Sequence, residues 1–368
     1  MGKKIKKKNG IDEVLLYSLQ GCIRIRNQKY ILEDGSRTDY LRLCNSDCFH
    51  HYSAGLCNLI EEWSEDLSYE KVSQLLLQVT GNEVLSSSGV QSYLACKAES
   101  ISNGWVSQSN TTIKEIEVIS DILIYESQEA EIILMMDDVG VKAQKPHKKV
   151  ARQAEDAKRL DTTVILVQAT DKTYHYATKG IDKTGKTIYS VEQAIIDKVS
   201  QLHDLSKPIP IVAVTDGARS IRLVLQAIFG ISVCIILDWY HLQLKVKNLM
   251  SMIAYNKADK EVYMNDLKEF LWFGNATEAI IYLDNMDKVK NEVKHKELRD
   301  YLEKHQKEII NYDLGQSVHK TIGSGRCEKA NDVVVAHRQK KKGMAWSRVG
   351  SSALAIIKTN RINLNRAA

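Results

Sequence analysis

The chain has 368 residues, 44% of them hydrophobic, with 51 Lys and Arg against 46 Asp and Glu, enough apolar content for a buried core and one or two satellite units. No apolar run approaches the roughly 18 residues that span a bilayer and no continuous apolar stretch follows the N-terminal lysines, which reads against a membrane or exported protein and for a soluble cytoplasmic one. Seven scattered cysteines argue against a disulfide framework, so reduced thiols are expected.

Residues 1–125 read as a mainly helical region. The opening run of Lys3, Lys4, Lys6, Lys7 and Lys8 has the composition of a solvated end. Cys44, Cys48, His50, His51 and Cys57 follow within a short stretch. Their spacing is not that of a paired zinc knuckle and no second cysteine pair follows, so incidental or buried thiols are expected. Segments 54–64 and 69–79 carry apolar residues at helical spacing. From 69 to 99 the sequence gives a helix, a turn at Gly81-Asn82 and a second helix capped by Ser86 or Ser87. That is the order of a helix-turn-helix, whose second helix would offer Ser88, Gln91, Ser92 and Lys97 to a DNA major groove; two packed helices of any fold give the same pattern.

Near residue 130 the pattern changes to short β-branched runs at 131–136, 162–168, 173–177, 209–215 and 232–237, with amphipathic helices at 190–203 and 218–229. Three strands, a helix, a strand, a helix and a strand is the order of an α/β mixed sheet of the ribonuclease H type. A Pro-free helical stretch then intervenes at 241–314 before the chain returns to the core at 315–350, leaving 351–368 as a C-terminal tail. Basic charge is concentrated late: from Gln316 onward there are 11 Lys and Arg against 2 Asp and Glu, and a second cluster comprises Lys142, Lys145, Lys148, Lys149 and Arg152. Such patches attract a polyanion by releasing its counterions.

Three acids stand where elements end. The run Ile132 to Met136 meets Asp137-Asp138, the run Ile211 to Thr215 meets Asp216-Gly217, and Glu328 lies just inside a helix introduced by Gly323 to Gly325. Acids at the carboxyl ends of the neighbouring first and fourth strands would meet. Crowded carboxylates repel one another without a cation, and two Mg²⁺ or Mn²⁺ ions bridging such acids are suited to phosphodiester chemistry. Each acid alone also fits a turn or a helix start. Alternation leaves Asp137 and Asp138 both open, because both faces of the strand are apolar. No glycine-rich phosphate loop and no Ser-His-Asp arrangement is recognisable, and neither Cys234 nor Cys327 has an assignable base.

The segments MDDVGVKAQ (136–144), TDGARSIRLVLQAIFG (215–230), LDWYHLQLKVKNL (237–249) and GSGRCEKANDVVVAHRQKKKGMAWS (323–347) resemble bacterial insertion-sequence transposases of the Mutator-like DDE group. The resemblance is close over the catalytic half and loose over the first 130 residues. It implies Asp137, Asp216 and Glu328 as the metal-binding and catalytic triad. Counting back from Gln144 favours Asp137 as the first acid, with Asp138 as the alternative. Asp238 and His241 match a (Cys/Asp)-x-x-His signature that contacts DNA or supports the site, and 241–314 matches an insertion that clamps the transposon end. His337, Arg338, Lys340, Lys341 and Lys342 would meet phosphates, and Trp346 would either stack on an unpaired base or be buried.

The expected protein is thus a DNA transposase, nucleoid-associated, acting as a homo-oligomer on double-stranded DNA at inverted repeats and target sites. The rival readings are a domesticated or truncated DNA-binding protein without catalysis and a ribonuclease-H-like DNA nuclease.

Overall fold

In the computed structural model, residues 4–44, 49–109, 117–119, 123–128, 130–145, 158–204, 206–231 and 233–367 are described. Lys3, Cys48, Lys148, Lys149 and Arg152 lie outside them. No described helix is long and apolar enough to cross a membrane.

The opening segment is not helical. β1 (Ile5–Ser18), β2 (Gly21–Leu32) and β3 (Arg37–Asp39) form an antiparallel three-stranded sheet, followed by the short α1 (Tyr40–Cys44). The physical reason is legible in β2, where Ile23 and Ile25 alternate with Arg24 and Arg26 at the period of a strand with one apolar face. In β1 the same period is broken by register shifts between Ile5 and Lys7 and between Lys8 and Ile11, which hide it in the lysine run.

Helices follow: α2 (Ala54–Ser64), α3 (Tyr69–Thr80), α4 (Ser87–Gln108) and α5 (Leu123–Glu126). Ser53, Ser68 and Ser86 each accept a backbone N–H of the first turn of α2, α3 and α4 respectively, the standard device for satisfying an orphan donor at a helix start.

The central sheet comprises β4 (Ile132–Lys142), β5 (Arg159–Gln168), β6 (Tyr174–Ala177), β9 (Ile211–Thr215) and β10 (Cys234–Leu237) in the order β10-β9-β4-β5-β6. β4, β5 and β6 are antiparallel neighbours, whereas β9 runs parallel to β4 and β10 parallel to β9. A two-stranded hairpin of β7 (Gly180–Ile181) and β8 (Thr187–Tyr189) leads into α6 (Val191–Leu202), and α7 (Arg219–Phe229) connects β9 to β10. The fold is α/β with a mixed sheet.

Both sheet faces are covered. Ile132, Leu134 and Met136 of β4 pack with Ile195, Val199, Leu225 and Ile228 of α6 and α7. On the opposite face Ile133, Met135, Val139 and Val141 pack with the helices of the N-terminal half and with α13 (Gly325–Asn331), a π-helical turn at Asp332–Ala336, α14 (His337–Gln339) and α15 (Arg348–Ala367). The segment read as a C-terminal tail is therefore a core helix, buried continuously from Ser351 to Thr359. Its Ala353-Leu354-Ala355-Ile356-Ile357 run is apolar on every side because α4 and the sheet enclose it.

Between β10 and α13 lie α8 (Trp239–Ile253), α9 (Lys257–Trp272), α10 (Ala276–Asp284), α11 (Glu292–His305) and α12 (Tyr312–Ser317), with a 3₁₀ turn at Gln306–Glu308. Their apolar side chains share one core with Val212, Cys234, Ile236 and Leu237 of the sheet. Arg222 of α7 fastens this layer, its Nη2 lying 2.8 Å from Glu308 Oε2 and 3.0 Å from His305 Nδ1.

Candidate active site

β4 extends past the point where its apolar run ends, so Asp137 and Asp138 lie inside the strand rather than at its end, paired across to Val164 and Thr163 of β5. The parallel register with β9 aligns Ile132 with Ile211 and Met135 with Val214; continued to the end of β9, it brings Asp137 level with Asp216. β10 is aligned so that Leu237 lies opposite Thr215, which brings Asp238 to the same level. Three adjacent parallel strands thus deliver an aspartate each to one edge of the sheet.

What covers each face separates the two candidate first acids. Asp137 follows Ile133 and Met135 by strand alternation onto the face covered by α13. There Asn331 Nδ2 donates to Asp137 Oδ2 at 2.7 Å. Asp138 points the opposite way and accepts from Thr163 Oγ1 at 2.5 Å. Asp216 alternates with Val214 onto the Asp137 face, and its Oδ1 accepts the Ala218 N–H at 2.8 Å, fixing the turn into α7. Gly217 makes that turn with φ +86, and a Cβ there would stand 2.8 Å from His305 Cε1. The backbone has to be both left-handed and bare at this point.

Glu328 sits in the first turn of α13 and is exposed, its N–H bonded to Ser324 O at 3.0 Å. Asp238 positions this helix. It is 1% exposed and accepts four hydrogen bonds: from the N–H groups of Tyr240 and His241, as the N-cap of α8, and from the N–H and Oγ of Ser324. Burial opposes its ionisation, but the His241 ring, the Ser324 hydroxyl and the N–H groups of His241 and Ser324 outweigh it and hold its pKa down at about 2. Gly323 lets the chain pass close enough, since a Cβ there would lie 2.5 Å from the Tyr240 ring. The end of β10 is pinned by Tyr312, whose hydroxyl donates to Leu237 O at 2.9 Å.

His241 Nδ1 lies 3.4 Å from Asp238 Oδ2 and Nε2 lies 3.8 Å from Glu328 Oε1. The Asp238 carboxylate raises the His241 pKa above its ordinary value against partial burial, with Asp216 and Glu328 adding to the rise. Asp137, Glu328, Asp216 and Asp238 all reinforce the effect of burial in pushing the Cys327 thiol up to about 12. One neighbourhood therefore holds all four acids. Among the described residues neither Asp137 nor Asp216 forms an ion pair. Among them, too, no three His, Cys, Asp or Glu side chains are grouped so as to hold a metal ion.

Several residues expected to meet DNA do not face solvent. Arg338 is 4% exposed, with its guanidinium 4.9 Å from the Trp346 ring centroid and its Nε directed at Ser64 O. Burial lowers its pKa. Trp346 is buried and donates through Nε1 to Gln339 O at 3.0 Å, so it is a core indole rather than a stacking platform. Gln91 reaches Ser347 Oγ at 3.4 Å, and Lys97 lies 3.3 Å from the buried Glu61 carboxylate. Ser88 and Ser92 are exposed on α4. His337 is exposed with Nε2 3.4 Å from Asp66, Lys341 donates to Asp66 O at 2.9 Å, and Lys340 and Lys342 are exposed beside it. Cys57 is turned into the core, while Cys44 is exposed on α1.

The sequence reading missed Asn331 and Ser324. Only the i, i+3 spacing of Glu328 and Asn331 on one helix face could have pointed to the former.

No protein-family model matches the chain, and no curated protein matches it. Among solved structures, the Drosophila P element transposase strand transfer complex is similar over 85% of this chain and 79% of its own, at 9% sequence identity and a TM-score of 0.26, a likeness too slight to carry an inference.

Proposed function

We propose that the chain is a DDE-type DNA transposase, with a ribonuclease-H-like core in which Asp137, Asp216 and Glu328 hold two divalent ions, Mg²⁺ or Mn²⁺. The observation that carries this reading is the convergence of two uncompensated aspartates, level with each other on adjacent parallel strands and on one sheet face, beneath the helix that bears Glu328. The strand order β10-β9-β4-β5-β6, with β4 central and parallel to β9, supports the ribonuclease H comparison.

The donor set fits hard cations. All three acids are oxygen donors open to solvent in part or in full, and hard divalent ions prefer a few carboxylates with the remaining positions left to water and phosphate. Beside them the buried Asn331 Oδ1 has no hydrogen-bond partner, an acceptor that an ion-bound water would satisfy. Paired ions of this kind activate the attacking oxygen and stabilise the leaving one in an in-line displacement. Asn331 orients the Asp137 carboxylate, the Ala218 N–H orients that of Asp216, and Asp238 sets the start of α13 and so the reach of Glu328. His241 stands between Asp238 and Glu328 as a positioning residue.

The reaction expected is hydrolysis at a transposon end to free a 3′-OH, then attack of that hydroxyl on target DNA by a homo-oligomer bound at inverted repeats. Asp216→Asn and Glu328→Gln should each lower metal-dependent nicking and strand joining by at least about 100-fold while leaving DNA binding in place. Retained cleavage by either variant removes that residue from the mechanism. Nicking without joining by the wild type would mark a nuclease, and binding without nicking a non-catalytic DNA-binding protein.

A further inference from the structure

On the outer side of β5, past the end of β6, a cavity of about 210 Å³ is lined by Arg159, Lys179 and Arg348 together with Thr162, Ser351 and Ser352. It lies outside the acid cluster. Thr162 pairs with Val139 and Val164 with Asp137, so the cavity begins two to three residues along the sheet, on the order of 10 Å at strand spacing.

Lys179 and Arg348 are its cations; Arg159 and Asp161 border it too, but the Arg159 guanidinium lies over Gly140 of β4 and its Nε meets Asp161 at 3.1 Å. Lys179 and Arg348 form no ion pair or hydrogen bond among the described residues. Ser352 is 5% exposed, lines the cavity and, among the described residues, has no hydrogen-bond partner for its hydroxyl. Ser351 is already engaged, donating to Gln339 Oε1 at 2.6 Å and lying 3.3 Å from Thr162 Oγ1. The rigid wall therefore leaves one donor unused. Arg348 opens α15, a helix of 20 residues, whose dipole is positive at this end, although Ser347 caps the Gly350 N–H. Excess cation charge, an unused buried hydroxyl and a long helix start are together the chemistry of a phosphate-sized anion.

We propose that this cavity binds a phosphate group of the DNA backbone, one to two nucleotides from the acids, and so fixes the register of the strand to be cut. The DNA part rests on the reading of the acids as a phosphodiester-cutting centre; the anion site does not.

The test uses the full chain in two arms. In the first, thermal unfolding is followed with inorganic phosphate against chloride at equal ionic strength. Phosphate should raise the midpoint of the wild type and of Lys257→Gln, a remote exposed control, but not of Lys179→Gln with Arg348→Gln. Ser352→Ala, which leaves the charge unchanged, should weaken the response. In the second arm, duplex binding is measured against salt, where the double variant should lower the slope of log K against log salt by about 2. An equal phosphate response in wild type and variant overturns the site. A phosphate response lost in the variant with an unchanged DNA slope overturns DNA as the source and assigns the cavity to a free phosphate compound. A phosphate response lost in the variant, with no DNA binding by the wild type, supports the anion site while the transposase reading fails.

Discussion

Asp238 and Asp216 are one strand apart and do opposite work. Asp216 keeps an exposed carboxylate with one backbone donor, whereas Asp238 is saturated by donors and sealed. Asparagine at 238 would offer one acceptor oxygen and turn an N–H₂ toward existing donors, so Asp238→Asn should cost about 3 kcal/mol in urea unfolding at neutral pH. Its folded pKa of about 2 lies below the ordinary carboxylate value of about 3.9. The stability it confers is thus present above about pH 4 and is lost as pH falls through about 2, and the gap between wild type and variant should close over that interval. Gly217→Ala adds a methyl to a left-handed turn against His305 and should cost about 2 kcal/mol, read as a lowered midpoint.

The choice between Asp137 and Asp138 was not legible in the sequence, because an apolar run gives both faces of β4 the same character. What distinguishes the two is the packing on each face, α13 on the Asp137 side and α6 with α7 on the other. Asp216 was legible because a five-residue apolar strand running into Asp-Gly specifies its own turn.

At the scale of elements, helices announced themselves by serine caps and period, whereas strands hidden behind lysines did not. The helix pair α3 and α4 has the caps expected of it, with a left-handed Gly81 ending α3. Yet α4 packs against α3, α15 and the β7–β8 hairpin, and the half-buried Gln91 and Lys97 reach Ser347 and Glu61. No local sequence period could reveal this, since α15 arrives from the far end of the chain. The buried pair of Lys320 and Glu131 makes the same point between β4 and the approach to α13. Both side chains are almost fully enclosed, and removing Lys320 leaves Glu131 only the more distant Lys172, its Nζ 3.9 Å from Oε1. Lys320→Met should therefore cost about 3 kcal/mol, measured by denaturant unfolding. A loss below about 1 kcal/mol would show that Lys172 or water compensates Glu131.

Over the whole molecule, the α/β order and the helical layer at 241–314 could be read from hydrophobic period, because strand and helix alternation is a local property. Net charge was a poorer guide. Of the basic residues after Gln316, Lys320 and Arg338 are buried, Lys358 is nearly so, and Arg361 pairs with Glu62 and Glu65. Among the described side chains, the cations left outward are Arg326, Lys329, Lys340, Lys341, Lys342 and Arg348. On the proposed function an ion bound by the acids would link binding to folding, so Mg²⁺ or Mn²⁺ at about 100 times its dissociation constant should stabilise the wild type by about 2.7 kcal/mol. Asp216→Asn should show no such gain in midpoint; an equal gain in both would place the ion elsewhere.

The order in which the chain is synthesised gives the position of α13 a further meaning. β4, β9 and β10 emerge from the ribosome well before Glu328, with the whole of α8 to α12 made in between. α13 settles directly against β4 and β5, and the π-helical turn that continues it packs against α15. A nascent chain therefore carries two of its three acids without the third. On the proposed function the nascent protein is chemically silent toward DNA until Glu328 has been made, and a ribosome that stalls within α8 to α12 releases no cutting enzyme.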